Sequence, residues 1–140
     1  MQKYVHEMEE FPEFFSKLHY WMEKYWAIYS ALLFKVKDKT RLNEFREFLL
    51  KYLRITDTVF SFSENKVLVI LEEATIRWTL LLTENLSEKI KEKWFAYDYY
   101  CSAVQWDFID SEDKLYKALK KRLKIAKEGN IKECVYSLET

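Results

Sequence analysis

Glycine and proline are almost missing from this chain, with one of each, Gly129 and Pro12, in 140 residues. Phosphate-cradling loops, both the dinucleotide fingerprint and the P-loop, need backbone approaches that only glycine permits, so a conventional nucleotide site of either kind is excluded. Cysteine is nearly as scarce. Cys101 and Cys134 show no CxxC spacing and no leader of the secretory type precedes them, which reads as two reduced, buried thiols in a cytoplasmic protein. No apolar run approaches the roughly 20 residues needed to cross a bilayer, so no membrane partner is expected. Neither charge sign dominates: 23 basic residues balance 23 acidic ones, and no global field for a polyanion is indicated.

What is abundant is apolar and aromatic. Hydrophobic residues make up 49% of the chain and aromatics 18%. That is enough for a single core in one domain spanning 1–140, with residues 1–10 as a flexible or helical N-terminal extension. Plentiful Lys and Glu with few loop residues fit a compact, heat-tolerant protein.

Pro12 stands where a first helical turn accepts it, and Phe14, Phe15, Leu18, Trp21, Met22 and Tyr25 follow at helical spacing. AIYSALLFKV is a nearly continuous apolar run rich in strand formers, bounded by Lys37-Asp38-Lys39, and reads as a central strand. Thr40 then caps a helix whose stripe is Leu42, Phe45, Phe48, Leu49 and Tyr52. Strands from Asp57 to Phe62 and from Val67 to Leu71 flank the turn Ser63-Glu64-Asn65-Lys66 as a hairpin. A helix over Thr75–Trp94 is expected to bury Leu80, Leu81, Asn85, Leu86 and Ile90. The strand YDYYCSAVQWDF precedes Asp110-Ser111, which caps a last helix from about Glu112 to Lys127, stopped by Gly129 and Asn130. IKECVYSL returns as a short edge strand. The order predicts an α+β fold, an antiparallel-rich sheet covered by helices, ferredoxin-like or nucleotide-cyclase-like.

At the hairpin the residues resemble a known family. The GGDEF pattern D-x-V-x-R-x-G-G-D-E-F-x-V-x-L lies without a gap over DTVFSFSENKVLVIL, with Asp57, Val59, Val67, Val69 and Leu71 in place. The closing LYKALKKRLKIAKEGN is similar to the family's final helix, matching at Leu115, Leu123, Ala126, Lys127, Gly129 and Asn130. The resemblance runs from about Phe11 onward and implies a degenerate diguanylate cyclase-like domain, because Ser63-Glu64-Asn65-Lys66-Val67 replaces the signature. The family's first-strand D-I-D element falls on Lys35-Val36-Lys37 and the acidic pair of its hairpin on Asn65-Lys66. Joining two nucleoside triphosphates needs divalent metal held by carboxylates, and a Lys ammonium has no lone pair to offer. The segment between the first strand and Asp57 is also shorter than the family's by about one helical hairpin, where guanine-recognising residues belong. No catalytic residue, metal ligand or cofactor is therefore expected.

The resemblance also places Arg54-Ile55-Thr56-Asp57 where the family carries its product-binding R-x-x-D. An Arg fork and a nearby carboxylate suit a guanine dinucleotide, which makes Arg54 and Asp57 candidate ligands for cyclic di-GMP. A helix-end cation followed by ordinary turn residues is the competing structural reading. Tyr97, Tyr99, Tyr100, Trp106 and Phe108 alternate along one strand, so rings on the uncovered face would anchor a protein partner or a homodimer; Tyr97, Tyr99, Tyr100 and Trp106 are the candidate surface. Lys114, Lys117, Lys120, Lys121, Arg122, Lys124 and Lys127 give the last helix a basic face. With only Tyr116 interleaved, a solvated surface is favoured over nucleic acid, and Glu7, Glu9, Glu10 and Glu13 are its potential acidic counterpart within or between chains. His6 and His19 look isolated from other ligating groups. The leading expectation is a noncatalytic regulatory or scaffolding module that binds another protein, with a cyclic di-GMP receptor as the alternative.

Overall fold

A computed structural model of the chain describes residues 4–62, 65–93, 99–106 and 111–137. Five strands form one sheet: β1 (Val5–Glu7), β2 (Tyr29–Val36), β3 (Thr58–Ser61), β4 (Lys66–Glu72) and β5 (Tyr99–Gln105), in the spatial order β1-β3-β4-β2-β5. β2 lies antiparallel between β4 and β5, and β3 and β4 form the expected hairpin. Only β1 runs parallel to its neighbour, pairing Val5 with Val59. Four helices cover the sheet, α1 (Phe11–Tyr25), α2 (Leu42–Tyr52), α3 (Ile76–Lys93) and α4 (Glu112–Glu128). The α+β expectation holds. None of the helices is long and apolar enough to cross a membrane, among the described residues.

Both faces of the sheet are buried, and this explains the unbroken apolar run of β2. On one face Tyr29, Ala31 and Leu33 pack with Phe60, Leu68, Ile70, Val104 and Trp106 beneath Phe11, Phe15 and Leu18 of α1 and Leu115, Leu119 and Leu123 of α4. On the other, Leu32, Phe34 and Val36 pack with Val59, Val67, Val69 and Ala103 against Phe45, Phe48 and Leu49 of α2 and Leu86 and Ile90 of α3. A strand covered on both sides cannot alternate polar and apolar residues.

Several local expectations need correction. Residues 5–7 form an edge strand, where a flexible or helical extension is expected from the sequence; 8–10, in keeping with the helical alternative, form a 3-10 helix. The turn before α2 is capped by Asp38, whose carboxylate accepts from the Thr40 backbone and hydroxyl, so Thr40 is a donor and not the cap. α3 buries Thr79, Thr83, Leu86 and Ile90 while Leu81 is 55% exposed. The two threonines tolerate burial because their hydroxyls bond the carbonyls of Thr75 and Leu80. On α1 the buried stripe is Phe11, Phe15 and Leu18; Trp21 on its flank and Tyr25 in its last turn are exposed. α4 begins as expected at Ser111, whose hydroxyl accepts from the Lys114 backbone; Asp110 lies outside the described residues.

At the far end of α4 the left-handed position belongs to Asn130 (φ 49°), with Gly129 in ordinary helical conformation. The Ile131 and Asn130 amides bond the carbonyls of Ala126 and Lys127, the two reverse bonds that close a Schellman end. The expected terminal edge strand is reduced to one parallel bridge, Ser102 to Val135.

Candidate functional site

The β3–β4 hairpin meets the end of β2 at Val36. The Val36 amide donates to the Asn65 backbone carbonyl at 2.9 Å, and the Asn65 side-chain amide donates in return to the Val36 carbonyl. Asn65 is 6% exposed. Its side chain thus supplies a donor that completes the ladder where the strand backbone turns away, satisfying both polar groups of Val36. Asn65 occupies the position that the resemblance gives to an acidic ligand, and Val36 the middle of the D-I-D element. A carboxylate there would set its oxygens against the carbonyl in place of a donor.

The neighbouring groups are cationic. Lys35 and Lys66 are directly paired across β2 and β4, so their side chains share a face, and Lys37 follows two residues after Lys35 on that side. The Lys37 ammonium lies 4.7 Å from the Tyr100 ring centroid, a cation–π contact. Like charges on a cross-strand pair are unfavourable to each other, and together they repel a divalent cation. Ser63 and Glu64 lie outside the described residues. Between β2 and β3 stand only a 3-10 turn over Lys39–Arg41 and α2, which accounts for the short segment noted in the sequence.

The structure does bring Arg54 and Asp57 together, but toward each other. The Asp57 side chain has no exposed surface, while that of Arg54 is 42% exposed. Arg54 donates through Nε to one Asp57 oxygen at 3.2 Å and through Nη2 to the other at 3.0 Å, and its backbone amide adds a bond of 3.0 Å. Nη2 also donates to the Glu72 carbonyl at 2.6 Å, tying the α2–β3 turn to the end of β4. The guanidinium stacks over Trp78 of α3, 4.5 Å from its ring centroid. As arranged, the Asp57 carboxylate is enclosed by Arg54, which favours the structural reading of the pair over the ligand reading. Glu72 nearby is held above the ordinary carboxylate range by burial, with the negative charges of Asp57 and Glu73 adding to it and the Arg54 charge opposing.

The candidate aromatic surface on β5 is corrected in the same direction. Trp106 is 1% exposed and stacked on Phe15 at 4.2 Å, Tyr100 is buried over the α1–α4 face, and Tyr99 is mostly buried against Phe34 and Phe45 on the opposite face. Helices on both sides cover Tyr100 and Trp106, and Tyr99 keeps only part of its surface; Tyr97 and Phe108 lie outside the described residues. Exposed rings stand elsewhere, Tyr4, Trp78 and Tyr136 singly and a denser group on α1. Tyr20, Trp21, Tyr25 and Trp26 cluster at the end of α1, with Trp21 and Tyr25 centroids 4.9 Å apart and Trp26 88% exposed. Trp26 also adopts a left-handed backbone (φ 60°), a conformation that disfavours a large side chain. Dense aromatics from Tyr20 to Trp26 were the available signal, masked because helical spacing alone assigned two of them to the core.

The basic face of α4 is partly neutralised by its own helix. Lys117 pairs with Asp113 at 3.3 Å and Lys124 with Glu128 at 3.9 Å, all well exposed, and Arg122 turns inward to the Ala103 carbonyl. Glu10 pairs with His6 at 3.3 Å and Glu7 accepts from Ser61, so two of the N-terminal acids have local partners of their own. His6 and His19 are not isolated: each has a carboxylate four residues on, Glu10 and Glu23.

The sequence matches no protein-family model and no curated protein. The fold does match solved structures. The GGDEF domain of DgcB from Caulobacter crescentus, solved in complex with c-di-GMP, superposes with a TM-score of 0.79 over 96% of this chain and 92% of that one, at 6% identity. The GGDEF domain of PA1120 (YfiN or TpbB) from Pseudomonas aeruginosa gives 0.79 over 97% and 98%, at 11% identity. The diguanylate cyclase SiaD, in complex with its activator SiaC, also from Pseudomonas aeruginosa, gives 0.75 over 94% of this chain and 58% of that one, at 10% identity. The chain therefore has the GGDEF, nucleotide-cyclase-like fold.

Proposed function

We propose that this GGDEF-fold domain is noncatalytic and acts as a regulatory or scaffolding module through contact with another protein. The observation that carries the reading is the union of Asn65 with Val36 beside Lys35, Lys37 and Lys66. Phosphoryl transfer between two nucleotides needs charge neutralisation at the transferring phosphate by metal on anionic oxygens. Cations and an amide hold those positions, and the amide is committed to the sheet. Protein contact is supported by the exposed rings at the end of α1, since unburied Trp and Tyr beside one another are common interface anchors. The neighbour SiaD, 58% of which this chain covers, is solved with a protein activator, and that supports a role in protein contact.

Neighbours solved with c-di-GMP keep the receptor reading as the alternative, but the closed Arg54–Asp57 pair speaks against those residues as its site. Incubation of the purified protein with GTP and magnesium is expected to yield no cyclic dinucleotide. Calorimetry with cyclic di-GMP at tens of micromolar is expected to show no heat, where an affinity of about −6 to −7 kcal/mol would register. Turnover that disappears on replacing a single carboxylate would refute the noncatalytic reading. Heat lost in Arg54→Ala would establish the receptor instead.

A further inference from the structure

Cys101 and Cys134 are 33 residues apart in the chain, yet their sulfurs lie 3.3 Å apart. The backbone enforces this approach. Val135 donates to the Cys101 carbonyl at 3.0 Å and accepts from the Ala103 amide at 2.9 Å, so the C-terminal segment lies along the outer edge of β5 with the two cysteines side by side. Both are free thiols, Cys101 buried and Cys134 half-buried. Cys134 forms part of the wall of an open groove of about 480 Å³ between α3 and the C-terminal segment, whose lining includes Glu84, Glu88, Tyr99 and Glu133.

We propose that Cys101 and Cys134 are a reversible dithiol–disulfide pair, oxidised by a small disulfide of the glutathione type that enters from this groove, and that the bond fastens the C-terminal segment to β5. Cys134 is the entry point because it is the accessible member of the pair. Its thiolate attacks one sulfur of the small disulfide, forming a mixed disulfide and releasing one small thiol. The Cys101 sulfur then gives up its proton and attacks the Cys134 sulfur; the new bond between them forms as the mixed disulfide breaks and the second small thiol leaves. Two electrons and two protons pass from the protein to one small disulfide. Burial and the hydrogen bond with Cys134 hold the Cys101 thiol well above its ordinary range, so it stays protonated until the mixed disulfide is in contact and the departing small thiolate takes its proton.

The test uses the full chain equilibrated with oxidised glutathione. The expected result is a monomer lighter by two hydrogens, with both cysteines refractory to alkylation. Its melting temperature rises by about 10 °C because a loop containing α4 is closed in the unfolded chain. A thiol reductant reverses both changes, and Cys134→Ser, altered at the half-exposed position, shows neither. The proposal fails if both thiols remain alkylatable, if glutathione stays attached to Cys134, if a covalent dimer forms, or if the internal bond forms with no gain in melting temperature.

Discussion

Trp106→Ala is expected to destabilise the protein by about 3–5 kcal/mol, read as a fall in the urea midpoint with an unchanged slope. The ring is 1% exposed and sits among Phe15, Tyr29 and His19, stacked at 4.2 Å on the first of these. Truncation removes the transfer free energy of a large ring and leaves a cavity whose walls are one strand and one helix, neither able to collapse freely. Since domains of this size have about 5–15 kcal/mol in total, the variant should be close to unfolding at elevated temperature. Trp21→Ala, by contrast, alters an exposed ring and should stay within about 0.5 kcal/mol of the parent. A loss below about 1 kcal/mol for Trp106 would return that residue to the interface role the alternating rings of β5 suggested.

Asn65→Asp changes one atom group and is expected to cost about 3 kcal/mol at pH 7. The amide donor to Val36 is replaced by an acceptor, so a buried carboxylate faces a carbonyl oxygen with no hydrogen between them. Its folded-state pKa should therefore rise above the ordinary value of about 3.9. The sign follows from linkage: stability is retained below the unfolded value, where the protonated acid can donate to Val36, and is lost as pH rises through the folded value. Denaturation midpoints at pH 3 and pH 7, each compared with the parent at the same pH, should show a small deficit at low pH and a large one at neutral pH. Magnesium added at pH 7 should not recover the loss, because the neighbours among the described residues are a carbonyl and lysines. Recovery by magnesium would mean that one restored carboxylate suffices to rebuild a metal site.

Much of this architecture was legible in the chain because it rests on local patterns. β2 declared itself by a nearly continuous apolar run, the hairpin by two alternating runs around a polar turn, and α4 by Ser111 ahead of Glu112 and Asp113. What escaped depends on contacts distant in sequence. β1 is three residues long and exists by pairing with β3, more than 50 positions away, which no local periodicity announces. The buried face of α3 was misplaced because hydropathy favours Leu81 over Thr79 and Thr83, whose hydroxyls are satisfied only once the helix has formed. β5 was read as covered on one side although Cys101-Ser102-Ala103-Val104 has little polar alternation. That run was the available sign of double burial, and it was outweighed by the large rings around it.

The site followed the same division. That Lys35, Lys37, Asn65 and Lys66 carry no anionic group is legible in the sequence, because charge is a property of residue identity. The commitment of Asn65 to Val36, the inward turn of Asp57 toward Arg54 and the meeting of Cys101 with Cys134 were not, since each is a direction that a side chain takes in space. The exposed group at Tyr20–Trp26 was hidden for a related reason. Helical spacing marks which residues share a stripe, but the width of the stripe that the sheet covers is set by packing.

The most direct measurement is anomalous diffraction from a crystal soaked with manganese and GTP, manganese standing in for magnesium as an oxygen-seeking ion. The account predicts no anomalous peak between Asn65 and the Val36 carbonyl, with their hydrogen bond intact. A peak lodged there, with Asn65 swung away and a phosphate oxygen completing the ion's shell, would contradict it.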